Sequence, residues 1–356
     1  MSSLADIFRR LIATTGPISL AHYMAESNAH YYAEQKPIGG QDADFITAPE
    51  ISQMFGELVG LWLADMWDRA GRPDPVLYIE LGPGRGTLAR DALRVMARQG
   101  LVPQVHLVET SPAMRAAQLA AVPGATHHHD LSSLPDDGPI LLVANEFLDA
   151  LPVRQLVKTD DGWREVMVGV DPAGQFIEMP GRQPMDSAVS EAHRDAPPGT
   201  VIETSPACAA VATEVAGLLA QQGGAALFMD YGHADGRAGS SLQAVRGHEK
   251  LGVFDAPGEA DLSAHVHFAQ IAEVASSNGG RVLGTTTQGA WLAALGIEQR
   301  AEALAKSAPQ HREAVMQAKR RLTAPDQMGE LFKVMGLAGT DWPEGAGFAH
   351  KSSLWS

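Results

Sequence analysis

Three glycines, Gly82, Gly84 and Gly86, stand at alternate positions after the apolar run 76–81 and before a segment that reads as a helix from Thr87. Glycine at such a strand-to-helix turn permits a tight bend and lets a ligand approach the backbone, and the first helical turn offers free N–H groups. Dinucleotide enzymes share this device, so the turn alone does not name the ligand. Its spacing here is G-x-G-x-G, not the dinucleotide G-x-G-x-x-G, and Glu80 precedes it on the strand. A carboxylate there suits the amino end of a methionyl group and repels a pyrophosphate. The next apolar run, 105–109, ends in Glu109, followed by Thr110 and Ser111; an acidic residue at that place takes the ribose hydroxyls in nucleotide-binding α/β units. The run after it ends in Asp130 and Leu131, where a carboxylate could accept from an adenine amino group. These residues, with Thr87, are therefore expected to bind S-adenosylmethionine, with S-adenosylhomocysteine as the product. His127, His128 and His129 invite a metal reading, but neighbours on a strand point to opposite faces, and no metal is expected.

A second set of polar residues sits where apolar runs stop. The run 140–144 is followed by Asn145, Glu146 and, after Phe147-Leu148, Asp149; the run 225–229 is followed by Asp230, Tyr231 and His233; Glu203 ends 201–203. Ligands of open α/β sheets lie beyond the carboxyl ends of the strands, which raises the functional standing of all of these, Glu146 above the rest. Ser111 and Ser205, each followed by proline, read instead as helix caps. Several carboxylates around a methyl donor suit a cationic acceptor. A guanidinium, with a pKa above about 12 and two parallel N–H edges, is gripped bidentately by carboxylates. Methyl transfer then asks for in-line positioning at near-contact distance, with no strong base before attack.

The elements that must carry these residues follow from periodicity. Residues 1–74 read as a helical extension: apolar positions recur near every 3.6 residues in 4–12 and 51–67, with Thr47-Ala48-Pro49-Glu50 as a capping box and a loop over 31–44. From residue 75 apolar strands alternate with helices: 76–81, a helix 87–99, 105–109, a helix 111–121, 125–130 and 140–147. That rhythm implies a parallel sheet covered on both faces. Residues 153–198 break it with β-like segments and turns at Asp161-Gly162 and Ala173-Gly174, an antiparallel insertion. The αβ rhythm resumes over 199–340 with a strand at 225–230, a helix at 264–277, a strand at 281–286, three further helices and a last strand, 331–337, expected at the sheet edge; 341–356 is left as a tail.

Bulk composition narrows the classes further. Of 356 residues 45% are hydrophobic and 19% charged, ordinary for a globular enzyme. The formal charge of −15 disfavours nucleic acid as a partner, since phosphate binding needs clustered cations. No apolar run of about 18 residues is present, so no membrane insertion is expected, and the start of the chain lacks a secretory pattern, which points to the cytoplasm. The single cysteine, Cys208, excludes an internal disulfide and reads as a core residue. Oligomeric state is not legible.

Longer strings carry a resemblance. Asp44-Phe-Ile-Thr-Ala-Pro-Glu-Ile-Ser-Gln-Met-Phe-Gly-Glu57, Glu80-Leu-Gly-Pro-Gly-Arg-Gly-Thr87, Ala144-Asn-Glu-Phe-Leu-Asp-Ala-Leu-Pro152, Asp230-Tyr-Gly-His233, Asp261-Leu-Ser-Ala-His-Val266 and Met328-Gly-Glu-Leu-Phe-Lys333 resemble the MidA-like family of class I methyltransferases over nearly the whole chain. The resemblance implies a class I, Rossmann-like α/β fold: a seven-stranded, mostly parallel sheet with helices on both faces. It also implies protein arginine methylation, symmetric dimethylation of a respiratory complex I core subunit in the mitochondrial members. Carried over by motif, Gly82, Gly84 and Gly86 bind the donor, and the Asn145-Glu146 string belongs to the active site; Asp149 and Asp230, by their places after or at the ends of apolar runs, are expected to join Asn145 and Glu146 in the catalytic set, with Asn145 also touching the donor. Asp44, Phe45 and Thr47 are expected in a lid, with Glu203, Tyr231 and His233 on the substrate side. Three departures from the family pattern stand out: Ala43 for glycine, Ser240-Ser241 for Asp-Thr, and His267 for aspartate.

Two other classes compete. A dinucleotide-dependent oxidoreductase would use the Tyr-x-x-x-Lys pattern at Tyr32 and Lys36, but that pattern precedes the glycine turn. A non-catalytic assembly chaperone could keep the donor site as a relic, although Asn145, Glu146 and both nucleotide carboxylates remain intact.

Overall fold

A computed structural model of the chain describes residues 3–34 and 46–348. They fall into two compact units: Met1–Lys36, Asp149–Ala210 and Asp235–His267 form the first, and Pro37–Leu148, Val211–Ala234 and Phe268–Ser356 the second.

The second unit holds the expected sheet. Its strands are β1 (Leu77–Leu81), β2 (Gln104–Val108), β3 (Thr126–His128), β4 (Ile140–Asn145), β5 (Gly224–His233), β6 (Arg281–Thr287) and β7 (Phe332–Ala338), in the order β3-β2-β1-β4-β5-β7-β6. The pairs from β3 through β5 are parallel, and β7 runs antiparallel to both its neighbours. The expectation that β7 is an edge strand is therefore wrong: it lies between β5 and β6. Its near-continuous burial is the mark of an interior strand, which its place late in the chain concealed. β1 and the first five residues of β4 are wholly buried, as strands covered on both faces must be.

Order and register together build the site. The chain runs outward in opposite directions from β1 and β4, the switch point at which α/β sheets open a crevice. Leu81 pairs with Val108 on one side and Ala144 on the other, while Met229 pairs with Asn145. Gly82, Glu109 and Asn145 consequently stand side by side at the strand ends, and Asp230 lies within β5, one residue past the Met229 that pairs with Asn145.

The helix Gln53–Arg69 lies on the helix Thr87–Arg98 that follows the glycine turn. At Gly60 an added Cβ would stand 2.5 Å from the carbonyl oxygen and 2.6 Å from the Cα of Ala92, and at Gly56 it would meet the Asp91 Cβ at 2.8 Å. Small residues one helical turn apart thus let the two backbones touch. Around this contact the buried Glu57 receives Arg300 at 2.7 and 2.8 Å and Arg94 at 3.2 Å. The expected capping box is corrected. Thr47 makes no side-chain cap; a four-residue helix, Ala48–Ile51, ends at Ser52, whose hydroxyl caps the long helix at Met54. The C-terminal segment is packed rather than a free tail as far as Phe348, which meets Trp62 edge-on with centroids 6.2 Å apart.

In the first unit the strands Ile18–Ser19, Gly162–Val170, Arg154–Thr159 and Val201–Thr204 pair in that order, with Phe176–Pro184 added on Gly162–Val170. A second sheet joins Glu249–Leu251, Gln243–Arg246 and Asp261–Ser263. The antiparallel region is thus larger than the 153–198 insertion, and the helices Leu4–Thr15 and Leu20–Glu34 belong with it, so residues 1–74 are not one extension. Residues 31–34, expected in a loop, are helical instead, because Tyr31 is buried and the Tyr32 hydroxyl donates to Asp261 at 2.6 Å; the rest of the expected loop up to Asp44 lies outside the described residues. The helix expected from residue 264 begins at Phe268, after the strand Val266–His267. Among the described residues no helix is long and apolar enough to cross a membrane.

The glycine contact has a measurable consequence. Gly60→Val is expected to lower the unfolding free energy by about 1–3 kcal/mol, the usual cost of overpacking. Gly217→Ala, in a helix with open space around the added Cβ, should instead raise it slightly. Urea denaturation of the two variants checks the opposite signs.

Candidate active site

The three glycines of the turn all have positive φ, 59°, 52° and 78° at Gly82, Gly84 and Gly86. Left-handed backbone explains glycine at each position, and Gly84 adds a second reason: a Cβ there would meet nothing within 4 Å. Open space over a bent backbone is the cradle that the donor reading requires. Thr87 opens the helix behind the turn.

Glu109 follows β2. Its Oε1 accepts from the Ser111 N–H at 2.8 Å and its Oε2 from Gln118 at 3.1 Å; the same Gln118 amide donates to the Gly84 carbonyl at 2.7 Å. Gln118 thereby locks the expected ribose carboxylate to the turn. It escaped the sequence reading, because its burial and its bond to Gly84 come from partners distant in sequence. Ser111 caps its helix as expected, accepting from Met114, and Thr110 is exposed between them. Asp130 accepts from the Ser132 amide at 3.0 Å and hydroxyl at 2.6 Å, which holds its pKa below the usual carboxylate range, and Leu131 beside it is buried.

The histidines divide as strand alternation requires. His127 meets Gln118 at 2.8 Å, whereas His128 meets His106 at 2.9 Å and Ser133 at 2.9 Å on the other face. Burial lowers the pKa of all three. Among the described residues no three His, Cys, Asp or Glu side chains are placed to hold an ion.

Glu80 does not stand where the sequence reading put it. It is 3% exposed, accepts from the Tyr78 hydroxyl at 2.6 Å and is held by the Ala89 N–H; burial pushes its pKa up to about 8. Tyr78 and Glu80, two apart on a strand, share one face, and that face is the interior. Glu80 supports the turn from within and is closed to an ammonium.

Glu146 is the centre of the second half. Among the described residues it is one of three non-glycine residues with positive φ, here 50°, a conformation that costs about 1 kcal/mol or more and is kept where surroundings enforce it. The enforcement is visible. The Glu146 N–H donates to the Met229 carbonyl at 2.8 Å, and Asp230, 1% exposed, accepts from the N–H groups of Phe147 at 3.1 Å, Leu148 at 2.9 Å and Tyr231 at 2.9 Å. Asp230 therefore positions the loop and is not presented to a substrate, a correction to its expected catalytic place. Glu146 Oε1 accepts from the Ala48 N–H at 2.8 Å and from the Asn145 side-chain amide at 3.1 Å. Desolvation nonetheless raises its pKa to about 7, against the lowering by these two donors and by Arg321. Among the described residues Glu146 Oε2 has no hydrogen-bond partner, and Asn145 Oδ1 is buried with none.

Glu50 is a further residue that sequence reading assigned only to a cap. Its Oε1 accepts from the Thr87 hydroxyl at 2.5 Å. Tyr231 packs edge-on to Phe332 with centroids 5.5 Å apart, and His233 ends β5. Asp149 and Glu203 belong to the first unit. The Asp149 carbonyl accepts from Ala264, and Glu203 accepts from the amide and hydroxyl of Ser241 and from Gln155, which also donates to Ser240; the departures at Ser240 and Ser241 thus set the partners of Glu203. Asp44 and Phe45 lie outside the described residues. Tyr32 donates to Asp261, and burial followed by the charge of Asp261 raises its pKa well above the ordinary value, the reverse of what a dehydrogenase tyrosine needs.

The backbone at Glu146 yields a test. Glu146→Ala and Glu146→Gly remove the same carboxylate, but only alanine must hold φ near 50°. The glycine variant should be the more stable of the two by about 1 kcal/mol, read from their urea midpoints; equal midpoints would mean the loop relaxes.

Comparison with known proteins now completes the picture. The model of the Methyltransf_28 family, S-adenosyl-L-methionine-dependent methyltransferases, matches residues 58–286. Protein arginine methyltransferase NDUFAF7, mitochondrial, of Danio rerio is 34% identical over 376 residues, covering 95% of this chain and 87% of the relative. The Homo sapiens protein of that name is 35% identical over 367 residues, 92% of this chain and 81% of its own. A solved structure from Burkholderia thailandensis with S-adenosyl-homocysteine bound superposes with a TM-score of 0.84 at 30% identity, covering 97% of this chain and 93% of that one. The relatives' names place them in mitochondria, so the cytoplasm expected for this chain gains no support from them. With the family match spanning well over half of its length, the chain belongs to the S-adenosyl-L-methionine-dependent methyltransferases, and S-adenosylmethionine is its cofactor.

Proposed function

We propose that this chain methylates arginine side chains of a protein, by symmetric dimethylation, and that the acceptor is a core subunit of respiratory complex I. The observation that carries the reading is the pair of vacant acceptors, Glu146 Oε2 and Asn145 Oδ1, at the end of the strand beside the donor turn. Two parallel N–H groups of a guanidinium match two such acceptors. The relatives named as protein arginine methyltransferases, similar along nearly the whole chain, support the same class of acceptor.

Gly82, Gly84, Gly86, Glu109 and Asp130 would hold the donor. Bound S-adenosylmethionine supplies a methyl group on a sulfonium. Glu146 and Asn145 orient the guanidinium and draw its positive charge toward themselves, which leaves the remaining nitrogen richer in electrons for attack. The site is partly desolvated, and there the carboxylate contact is stronger than in water.

Protonation sets a direction. Glu146 grips a cation only when ionised, and burial holds its pKa near 7. Acceptor affinity should therefore rise as pH increases through about 7. The same raised pKa makes the empty protein lose stability over the range from the ordinary carboxylate value up to about 7, because the folded form binds the extra proton there. Glu146→Gln should slow transfer at least a hundredfold, flatten the pH profile near 7 and leave donor affinity within twofold.

Mass spectrometry of arginine methylation on complex I subunits, from cells with the protein, without it and with the Glu146→Gln form, tests the reading. Methylation lost in the second and third is expected. If methylation is unchanged while complex I assembly fails only without the protein, the function is that of a non-catalytic assembly chaperone.

A further inference from the structure

The donor's α-ammonium needs a counter-charge, and the residue expected to supply it, Glu80, is sealed beneath the turn by Tyr78 and Ala89. We infer that Glu50 is the carboxylate that receives this ammonium. The inference rests on the family's cofactor and is independent of what the acceptor is.

Glu50 reaches the turn from a short segment far away in sequence. The Thr87 hydroxyl, on the first helical residue after Gly86, donates to Glu50 Oε1 at 2.5 Å. The carboxylate is thereby fixed beside the turn, and among the described residues its Oε2 has no partner. Glu50 is only partly buried, so an ammonium can reach it without the cost of opening the core, which Glu80 at 3% exposure would demand. The segment is held at its other end as well, by the Ala48 N–H on Glu146 at 2.8 Å. A cap role does not compete: among the described residues Thr47 makes no side-chain cap, and the only hydrogen bond to the Glu50 carboxylate comes from Thr87.

The role is separable from a merely structural clip through the choice of ligand. S-Adenosylhomocysteine carries the α-ammonium, whereas 5′-methylthioadenosine has the same adenosine and thioether without the amino acid. Titration calorimetry of both ligands with the full chain and with Glu50→Gln gives the answer, with no acceptor present. We expect Glu50→Gln to weaken S-adenosylhomocysteine about tenfold or more, the scale of one charge-assisted contact, and 5′-methylthioadenosine less than twofold. Normal binding of the truncated ligand also shows that the variant is folded. Glu50→Asp, which keeps the charge, should recover part of the loss. Unchanged binding of S-adenosylhomocysteine, or an equal loss for both ligands, overturns the inference. Tighter binding in Glu50→Gln overturns it too, since Glu50 would then face the donor's carboxylate. Failure of wild-type protein to bind either ligand would count against the donor site itself, a different result.

Discussion

Glu146 carries an ionisable carboxylate out of bulk water on a backbone bent into the left-handed region, and much of the second unit is arranged so that this holds. The amides of Phe147, Leu148 and Tyr231 are collected by Asp230, and the Glu146 N–H is taken by the Met229 carbonyl of β5. Two donors steady one oxygen of Glu146 and leave the other open. The two acidic residues, Glu146 just after β4 and Asp230 within β5, are under opposite conditions. Asp230 is saturated by backbone and shapes the loop; Glu146 is undersupplied and is left with capacity for a ligand. A buried group short of partners is expensive, which is why such groups are rare away from places where something binds.

Sheet register explains how distant parts of the chain meet there. Parallel strands aligned through Val108, Leu81, Ala144 and their partners release the glycine turn, Glu109 and the Asn145-Glu146 loop along one line. A slip of one residue in any pair would send the following side chains to the other face. What prevents a slip is the near-continuous burial of β1 and β4, together with the helix contact at Gly56 and Gly60, which fixes the helix behind the turn against its neighbour. Packing far from the crevice thus determines where its glycines lie.

Features carried by local chemistry were legible in the sequence. A strand ending in a glycine turn, a carboxylate after the next strand and polar residues after an apolar run each announce themselves within a few positions. The parallel order, the antiparallel region and the cap at Ser111 were readable for the same reason. Features made by distant partners were not. Glu50 meets Thr87 37 positions away, and Gln118 meets Gly84 at a separation of 34, so neither bond leaves a local mark. The helix through Tyr31 and Tyr32 is extended by contacts with residues more than 200 positions on, and β7 is interior because β6 folds outside it. Glu80 is a different case. β1 is buried on both faces, so alternation along it does not reveal which face opens to a ligand, and the bond from Tyr78 that holds Glu80 shows only in the fold.

Electrostatics gives these placements a common reason. A sulfonium donor is a cation, as is the guanidinium acceptor we propose, and near-contact of the two in a poorly screened crevice is favoured by negative charge around them. A bare carboxylate kept permanently in that crevice would be costly in the empty protein. Burial raises the Glu146 pKa to about 7, so near neutral pH the carboxyl is partly protonated in the empty protein, and on the proposed reading an arriving cation displaces that proton. Burying Glu80 in its neutral form, with a pKa of about 8, follows the same economy: it supports the turn through hydrogen bonds and adds little charge of its own. The negative charge that remains is left to groups at the rim, Glu50 and Glu109, each half held by neighbouring donors, where water can still reach them when no ligand is bound.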